Sequence, residues 1–475
     1  MDFNRIFNSI KSLNAQKQIP FLKNLITFIY LNVIGKVCGL MVLWTIAKIW
    51  GPTSVGEYGL GLYLGLMLSL FSDMGYNQIL TREVARNPVE GKSLFWIFIH
   101  LRFPWILSSF SIFFLFLPMN FFSVPILCFM AAGLLNTFNE YFYAWLRGME
   151  DIRSLFILDN IYKICSMGIV VLAAFYGLSF SECAWMYLEW ALSCGFISFL
   201  FLNRKHFLTD VMRVQGISPD RKFVFKKEAR YLGILYFAMI VFERMDLLFI
   251  QHFSSMEWVG IYTISIKILE VAKVLMDGVF KSFLIYFSKK SPEWCWDQSN
   301  FSPKQTFLCL RICIYSCLPA YWVCPGFVHF FFGDTYARSV LPLQIMIWLI
   351  PAMTLNYTFN AYLFSTGKQK RVTIFSLAAL CLGALLSWAL IPRWGLVGAA
   401  VSALISQWVL FFGMLSELQV KSIFSSLLIR WNSPFWECML WMGLALMVPS
   451  PGILTVLLFT TLLIFYNLPF VRERG

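Results

Sequence analysis

Apolar residues in this chain do not alternate with polar ones. They come in blocks of about twenty, separated by short breaks marked by charges, glycine or proline. A helix rising about 1.5 Å per residue needs roughly 20 apolar residues to cross a hydrocarbon layer about 30 Å thick, so each block reads as a membrane span. The blocks predict spans near 24–47, 57–80, 94–117, 122–146, 157–177, 181–203, 231–253, 258–284, 306–331, 341–365, 373–391, 395–416, 434–449 and 452–470. The last two are short, with Pro449 and Pro451 in the turn between them, so twelve spans plus a re-entrant hairpin is the alternative. Ahead of the first span, residues 1–22 carry Phe3, Ile6, Phe7, Ile10 and Leu13 at helical spacing among polar residues, which predicts an interfacial amphipathic helix rather than a cleavable signal. The expected fold class is an all-α polytopic membrane protein of about 14 helices.

Charge adds direction to this pattern. The 475 residues are 59% hydrophobic and 13% charged, where a soluble domain carries about 25% charge, and a water-soluble enzyme is excluded. The net charge of +13 points away from nucleic acid once it is located. With the N-terminus inside, the external loops hold only Lys48, Arg338 and Arg393, whereas 204–230 alone carries eight basic residues. Both termini are therefore expected on the cytoplasmic side. Most of the 12 cysteines lie inside apolar runs, which argues against a disulfide framework.

The basic stretch 204–230 reads as a linker between two six-helix halves, 23–203 and 231–418, with 419–475 as an extra helix pair. An internal repeat supports the division. Thr137-Phe138-Asn139-Glu140-Tyr141 in span 4 recurs as Thr358-Phe359-Asn360-Ala361-Tyr362 in span 10, and Val55-Gly56-Glu57-Tyr58 at span 2 echoes Val259-Gly260-Ile261-Tyr262 at span 8. Copies six spans apart run in the same direction, so the halves are related by an axis along the membrane normal.

Enzyme signatures are absent from the sequence: Gly91-Lys92-Ser93 has Arg86 where a phosphate loop needs glycine, and no His-Glu-x-x-His occurs. Cys309, Cys313 and Cys317 form a helical stripe without a histidine or carboxylate, which reads as packing. Span 8 is different. Lys267, Glu270, Lys273, Asp277 and Lys281 are spaced 3, 3, 4 and 4, placing all five within roughly a 120° arc of one helix face. An ionised side chain at bilayer depth costs at least about 2.5–3.5 kcal/mol, so this face must meet protein or a water-filled cavity. Ion pairs that merely fix the bundle are one reading, a ligand site the other. Span 1 adds Lys36, span 7 adds Glu243, Arg244 and Asp246, and span 9 adds Arg311. Cations outnumber anions in this set, which suits an anion and in particular phosphate oxygens. Arg102, Glu140, Asp159 and Lys163 are expected near the cytoplasmic end in a gating or structural role.

A resemblance follows from the motifs in order. Ala47-Lys48-Ile49-Trp50-Gly51-Pro52-Thr53-Ser54-Val55-Gly56-Glu57-Tyr58-Gly59, Ser72-Asp73-Met74-Gly75-Tyr76 and Thr81-Arg82-Glu83-Val84-Ala85-Arg86 resemble the opening of Wzx-type O-antigen and polysaccharide flippases. These belong to the multidrug/oligosaccharidyl-lipid/polysaccharide exporter superfamily. Asp246-Leu247-Leu248-Phe249-Ile250, Phe332-Gly333-Asp334-Thr335-Tyr336 and Trp394-Gly395-Leu396-Val397-Gly398-Ala399-Ala400 extend the likeness over roughly residues 25–420. The resemblance implies a transporter without cofactor in the bacterial inner membrane. It would move undecaprenyl-diphosphate-linked oligosaccharide outward among membrane lipids by alternating access, coupled to H+ or Na+, and hand it to a polysaccharide polymerase. The expected diphosphate ligands are Lys36, Arg244, Lys267, Lys273 and Arg311, with Glu243, Asp246, Glu270 and Asp277 as ion-coupling or cavity acids. The alternatives are a multidrug antiporter of the same fold, which would want an acidic cavity, and a membrane polymerase or glycosyltransferase, which would want a long external loop.

Overall fold

The computed structural model describes residues 34–116, 122–204, 219–271, 303–365 and 369–417. The amphipathic segment 1–22, the later part of span 8 and the pair expected in 419–475 lie outside the described residues. Those described form helices and short connections with no strand. In chain order they are α1 (34–49), α2 (Gly51–Asp73), α3 (Tyr76–Arg86), α4 (Gly91–Phe116), α5 (Val124–Gly148), α6 (Ile152–Phe175), α7 (Phe180–Arg204), α8 (Pro219–Phe253), α9 (256–271), α10 (Pro303–Phe332), α11 (Val340–Ile347), α12 (Leu349–Ser365), α13 (Gln369–Trp394) and α14 (Leu396–Glu417). Seven stretches among the described residues are long and apolar enough to cross a membrane, as the all-helical membrane fold requires.

The helix starts follow local chemistry. Proline stands in the first turn of α2 and of α5, where its missing N–H costs nothing. Asp151 caps α6, accepting from the Ser154 N–H at 3.2 Å. Ser179 and Glu182 form a reciprocal capping box at α7, with Ser179 N–H to Glu182 Oε2 at 2.7 Å and Glu182 N–H to Ser179 Oγ at 3.3 Å.

Three departures from the sequence reading change the picture. Span 2 does not run to residue 80: α2 ends at Asp73, Met74 and Gly75 take positive φ (43° and 80°), and α3 leaves in a new direction. Span 10 is broken at Trp348 into α11 and α12. The linker expected over 204–230 is helical from Pro219, so α8 has 35 residues. At about 1.5 Å per residue it is roughly 50 Å long and outreaches the hydrocarbon layer at the end bearing the basic loops.

In the first half α5 packs between α2 and α7, and in the second α14 packs between α12 and α13. The halves meet through α1, α2 and α3 on one side and α8, α9 and the end of α10 on the other. At the end away from the basic loops, the two copies of Val-Gly-x-Tyr touch each other. A Cβ on Gly260 would lie 1.9 Å from the Pro52 carbonyl oxygen, and one on Gly56 would lie 2.2 Å from that of Met256. Only glycine permits this backbone-on-backbone approach. About five turns nearer the basic end, Gly75 and Gly233 also meet closely, a Cβ on Gly233 falling 2.5 Å from the Met74 carbonyl carbon.

The Thr-Phe-Asn copies serve packing inside their own halves, and not identically. Thr137 and Asn139 are buried, with Ser198 Oγ donating to Asn139 Oδ1 at 3.0 Å. In the second half Phe359 is buried and stacks on Phe411 at 5.6 Å, whereas Phe138 is exposed.

Candidate functional site

Four helices bring charge to one place. From α1, α8 and α9 come Lys36, Arg244 and Lys267, and all three converge on one carboxylate, Glu270 of α9. Lys36 Nζ and Lys267 Nζ each lie 3.3 Å from Glu270 Oε2, and the Arg244 guanidinium bonds Oε1. The Lys267–Glu270 pair is the i, i+3 neutralisation that the span 8 spacing predicts. Among the described residues, three cations thus share one carboxylate. Beside them opens a cavity of about 190 Å³, lined among others by Gly35, Lys36, Gly39, Lys163, Lys267 and Glu270. Side-chain exposure falls from 40% at Lys36 through 26% at Lys267 to 12% at Glu270, so the cluster grades from the open cavity into the protein.

Lys163, from α6, is the fourth contributor. Sequence reasoning assigns it to a gate near the cytoplasmic end; it lines this cavity, its ammonium 2.5 Å from Asp159 Oδ2 one turn away. Gly35 makes the passage, since a Cβ there would stand 2.8 Å from both Cδ and Nζ of Lys163. Nothing in the periodicity reveals this, because it depends on which face of α1 meets α6.

Glu243 and Asp246 occupy a different space, a cavity of about 40 Å³ inside the second half, lined also by Arg244, Met346, Ser387, Ser402 and Gln407. Asp246 is buried and held by two donors, the Tyr262 hydroxyl at 2.5 Å and the Leu247 N–H at 3.0 Å. Tyr262 is the last residue of the second Val-Gly-x-Tyr copy, so the repeat that forms the contact between halves also fixes this carboxylate. Arg244 lines this small cavity and also bonds Glu270, which lines the larger one.

Among the other charges of the first half, Arg102 is an internal strut. Arg102 of α4 is 1% exposed and reaches Thr137 Oγ1 at 2.9 Å, Asn77 Oδ1 at 3.1 Å, Asp73 Oδ1 at 3.7 Å and the face of Tyr141 at 4.9 Å. Asp73, which the sequence reading quotes only as part of a family motif, also accepts from the Asn77 N–H at 3.0 Å, so this network braces the α2–α3 break. Glu140 lies 3.7 Å from Arg147 and is half-exposed. At the basic end Arg82 of α3 pairs with Glu228 of α8 at 2.6 Å, across the two halves. Lys273, Asp277 and Lys281 lie outside the described residues, and of Arg311 only the backbone, within α10, is described.

Comparison with known proteins agrees with this architecture. The chain is 21% identical over 399 residues to the capsular polysaccharide biosynthesis protein CapF of Staphylococcus aureus, covering 82% of this chain and 96% of that one. Among solved structures, the inward closed conformation of the lipid II flippase MurJ superposes with a TM-score of 0.62 at 13% identity, over 95% of this chain and 99% of that one. An inward-facing multidrug resistance MATE transporter of the MOP superfamily superposes with a TM-score of 0.58 at 13% identity, over 84% and 96%. The fold is thus that of the MOP-superfamily transporters. The polysaccharide biosynthesis protein family matches residues 21–289, more than half of the chain, and with the helical membrane architecture this identifies the protein as a member of that family.

Proposed function

We propose that this protein is a flippase carrying undecaprenyl-diphosphate-linked oligosaccharide units from the cytoplasmic to the periplasmic face of the bacterial inner membrane. The observation that carries the reading is the convergence of Lys36, Arg244 and Lys267 from both halves on Glu270, which lines one cavity together with Lys36, Lys267 and Lys163. Lysine and arginine with donors to spare match the oxygens of a diphosphate, and arginine binds them in bidentate fashion. The sugars would occupy the aqueous cavity and the polyprenyl chain would stay in lipid. Lys273 and Arg311 would extend the same cationic surface. Rocking of the halves about the Gly56–Gly260 contact would exchange the open side. Glu243 and Asp246, in their own small cavity, are the candidate groups for coupling to H+ or Na+, with Asp277 a further candidate on span 8, and a polysaccharide polymerase would receive the product.

The multidrug antiporter reading finds support in the MATE likeness of the fold, but a cationic drug would be repelled by the three cations around Glu270. The test is Lys36→Ala/Lys267→Ala expressed at matched abundance in a deletion strain of the native host. Surface polysaccharide is expected to fall at least about tenfold, and Lys36→Arg/Lys267→Arg to retain most of it. Unaltered polymer in the alanine variant would reject the assignment.

A further inference from the structure

We propose that Glu270 is a built-in counter-anion: in the empty protein its carboxylate stands where the substrate's diphosphate will sit, and the diphosphate displaces it from the same three cations. This deepens the flippase reading and rests on it.

The argument begins with donors and acceptors. Lys36, Lys267 and Arg244 together offer about eleven N–H donors, against about four lone-pair positions on one carboxylate. They are aimed at a single point, so an anion that contacts all three must take the place of Glu270 rather than sit beside it. A diphosphate diester brings two charges and more oxygens, and it matches the guanidinium in bidentate fashion. Glu270 lines the cavity of about 190 Å³, so its carboxylate has somewhere to swing.

Position in the fold gives the exchange its consequence. Lys36 belongs to α1 of the first half and Glu270 to α9 of the second, 234 positions away, so their bond ties the halves together inside the bundle. The other described ion pair between the halves, Arg82–Glu228, lies at the basic end, outside the apolar stretch of α8. When a diphosphate takes over Lys36, the tie through Glu270 is released. Filling the site and freeing the halves to rock become one event, and an empty protein stays fastened. The acid that offsets the cationic site is, on this account, what keeps the site closed until cargo arrives.

The experiment measures binding of inorganic pyrophosphate and of farnesyl diphosphate to the full-length protein in nanodiscs, together with deuterium uptake in peptides covering 34–49 and 256–271. Glu270→Gln is expected to bind both probes about tenfold more tightly than wild type, because a competing charge has gone. Without any probe, it should show the uptake pattern that saturating pyrophosphate induces in the wild type. A folded Glu270→Gln protein with unchanged or weaker affinity, or with the uptake of the empty wild type, overturns the counter-anion role. Glu270→Asp keeps the charge but shortens the reach, and serves if the glutamine variant does not fold. It should gain affinity by about threefold, and affinity equal to wild type overturns the proposal. A wild type that binds neither probe overturns the flippase reading itself, a result distinct from the others.

Discussion

Lys163 reaches the cavity past a residue that has no side chain, and that one vacancy sets how many cations the site contains. Lys163→Ala is expected to weaken pyrophosphate binding about fivefold. Gly35→Ala, which pushes the lysine aside, should weaken it in the same direction, and the double variant should lose little more than either single change; full additivity in that cycle would separate the two residues. Arg102 illustrates the opposite use of a buried charge. Its removal leaves Asp73 without a cation beside the α2–α3 break, and loss of one partner of a buried pair costs about 3–5 kcal/mol. Arg102→Ala should therefore lower the thermal unfolding midpoint with little change in pyrophosphate affinity at temperatures where the protein stays folded, as read by tryptophan fluorescence and calorimetry. Residue chemistry was legible wherever one helix supplies both partners, as with Lys267 and Glu270. It was not where partners come from separate helices: Asp73 carried no role beyond a family motif, and Lys163, expected near the cytoplasmic end, could not be placed on the cavity wall without knowing that α1 presents Gly35 to it.

Among the elements, the blocks of apolar residues locate the helices well because a lipid-crossing helix must satisfy its own backbone and be uniformly apolar. Breaks inside a block are harder to see. Trp348 interrupts span 10 without any change of hydrophobicity around it, and the break at Met74–Gly75 sits where Gly233 of another helix packs against it. The same limit applies to the repeats. The period gives the direction of the copies but not which faces meet, so the contact between Val55-Gly56-Glu57-Tyr58 and Val259-Gly260-Ile261-Tyr262 appears only in three dimensions. That contact leaves no room for a side chain. Gly260→Val is expected to force α2 and α9 apart at this end, raising deuterium uptake across 51–59 severalfold while leaving the α5–α7 packing untouched; unchanged uptake at 51–59 would show that the helices accommodate the valine by sliding.

For the whole molecule, the two halves are fastened by contacts of different chemistry at different depths. Glycine backbones touch at one end, Lys36 and Glu270 meet within the bundle, and Arg82 and Glu228 pair at the other end, each of the latter side chains about 40% exposed. An exposed pair contributes about 0.2–1 kcal/mol, so Glu228→Lys should reduce polymer output only about two- to fivefold, and the swap Arg82→Glu/Glu228→Arg should recover it. Persistence of the defect in the swapped protein would point to helix geometry instead of charge. Dissolved electrolyte, moreover, acts on only one of the two outer fastenings. At about 1 M ionic strength, attraction between solvent-facing charges fades beyond roughly 3 Å, whereas close-packed main chain is indifferent to it. Brine should therefore loosen the exposed Arg82–Glu228 pair and spare the seam at Gly260, which makes simple salt a one-sided lever on the two ends of the bundle.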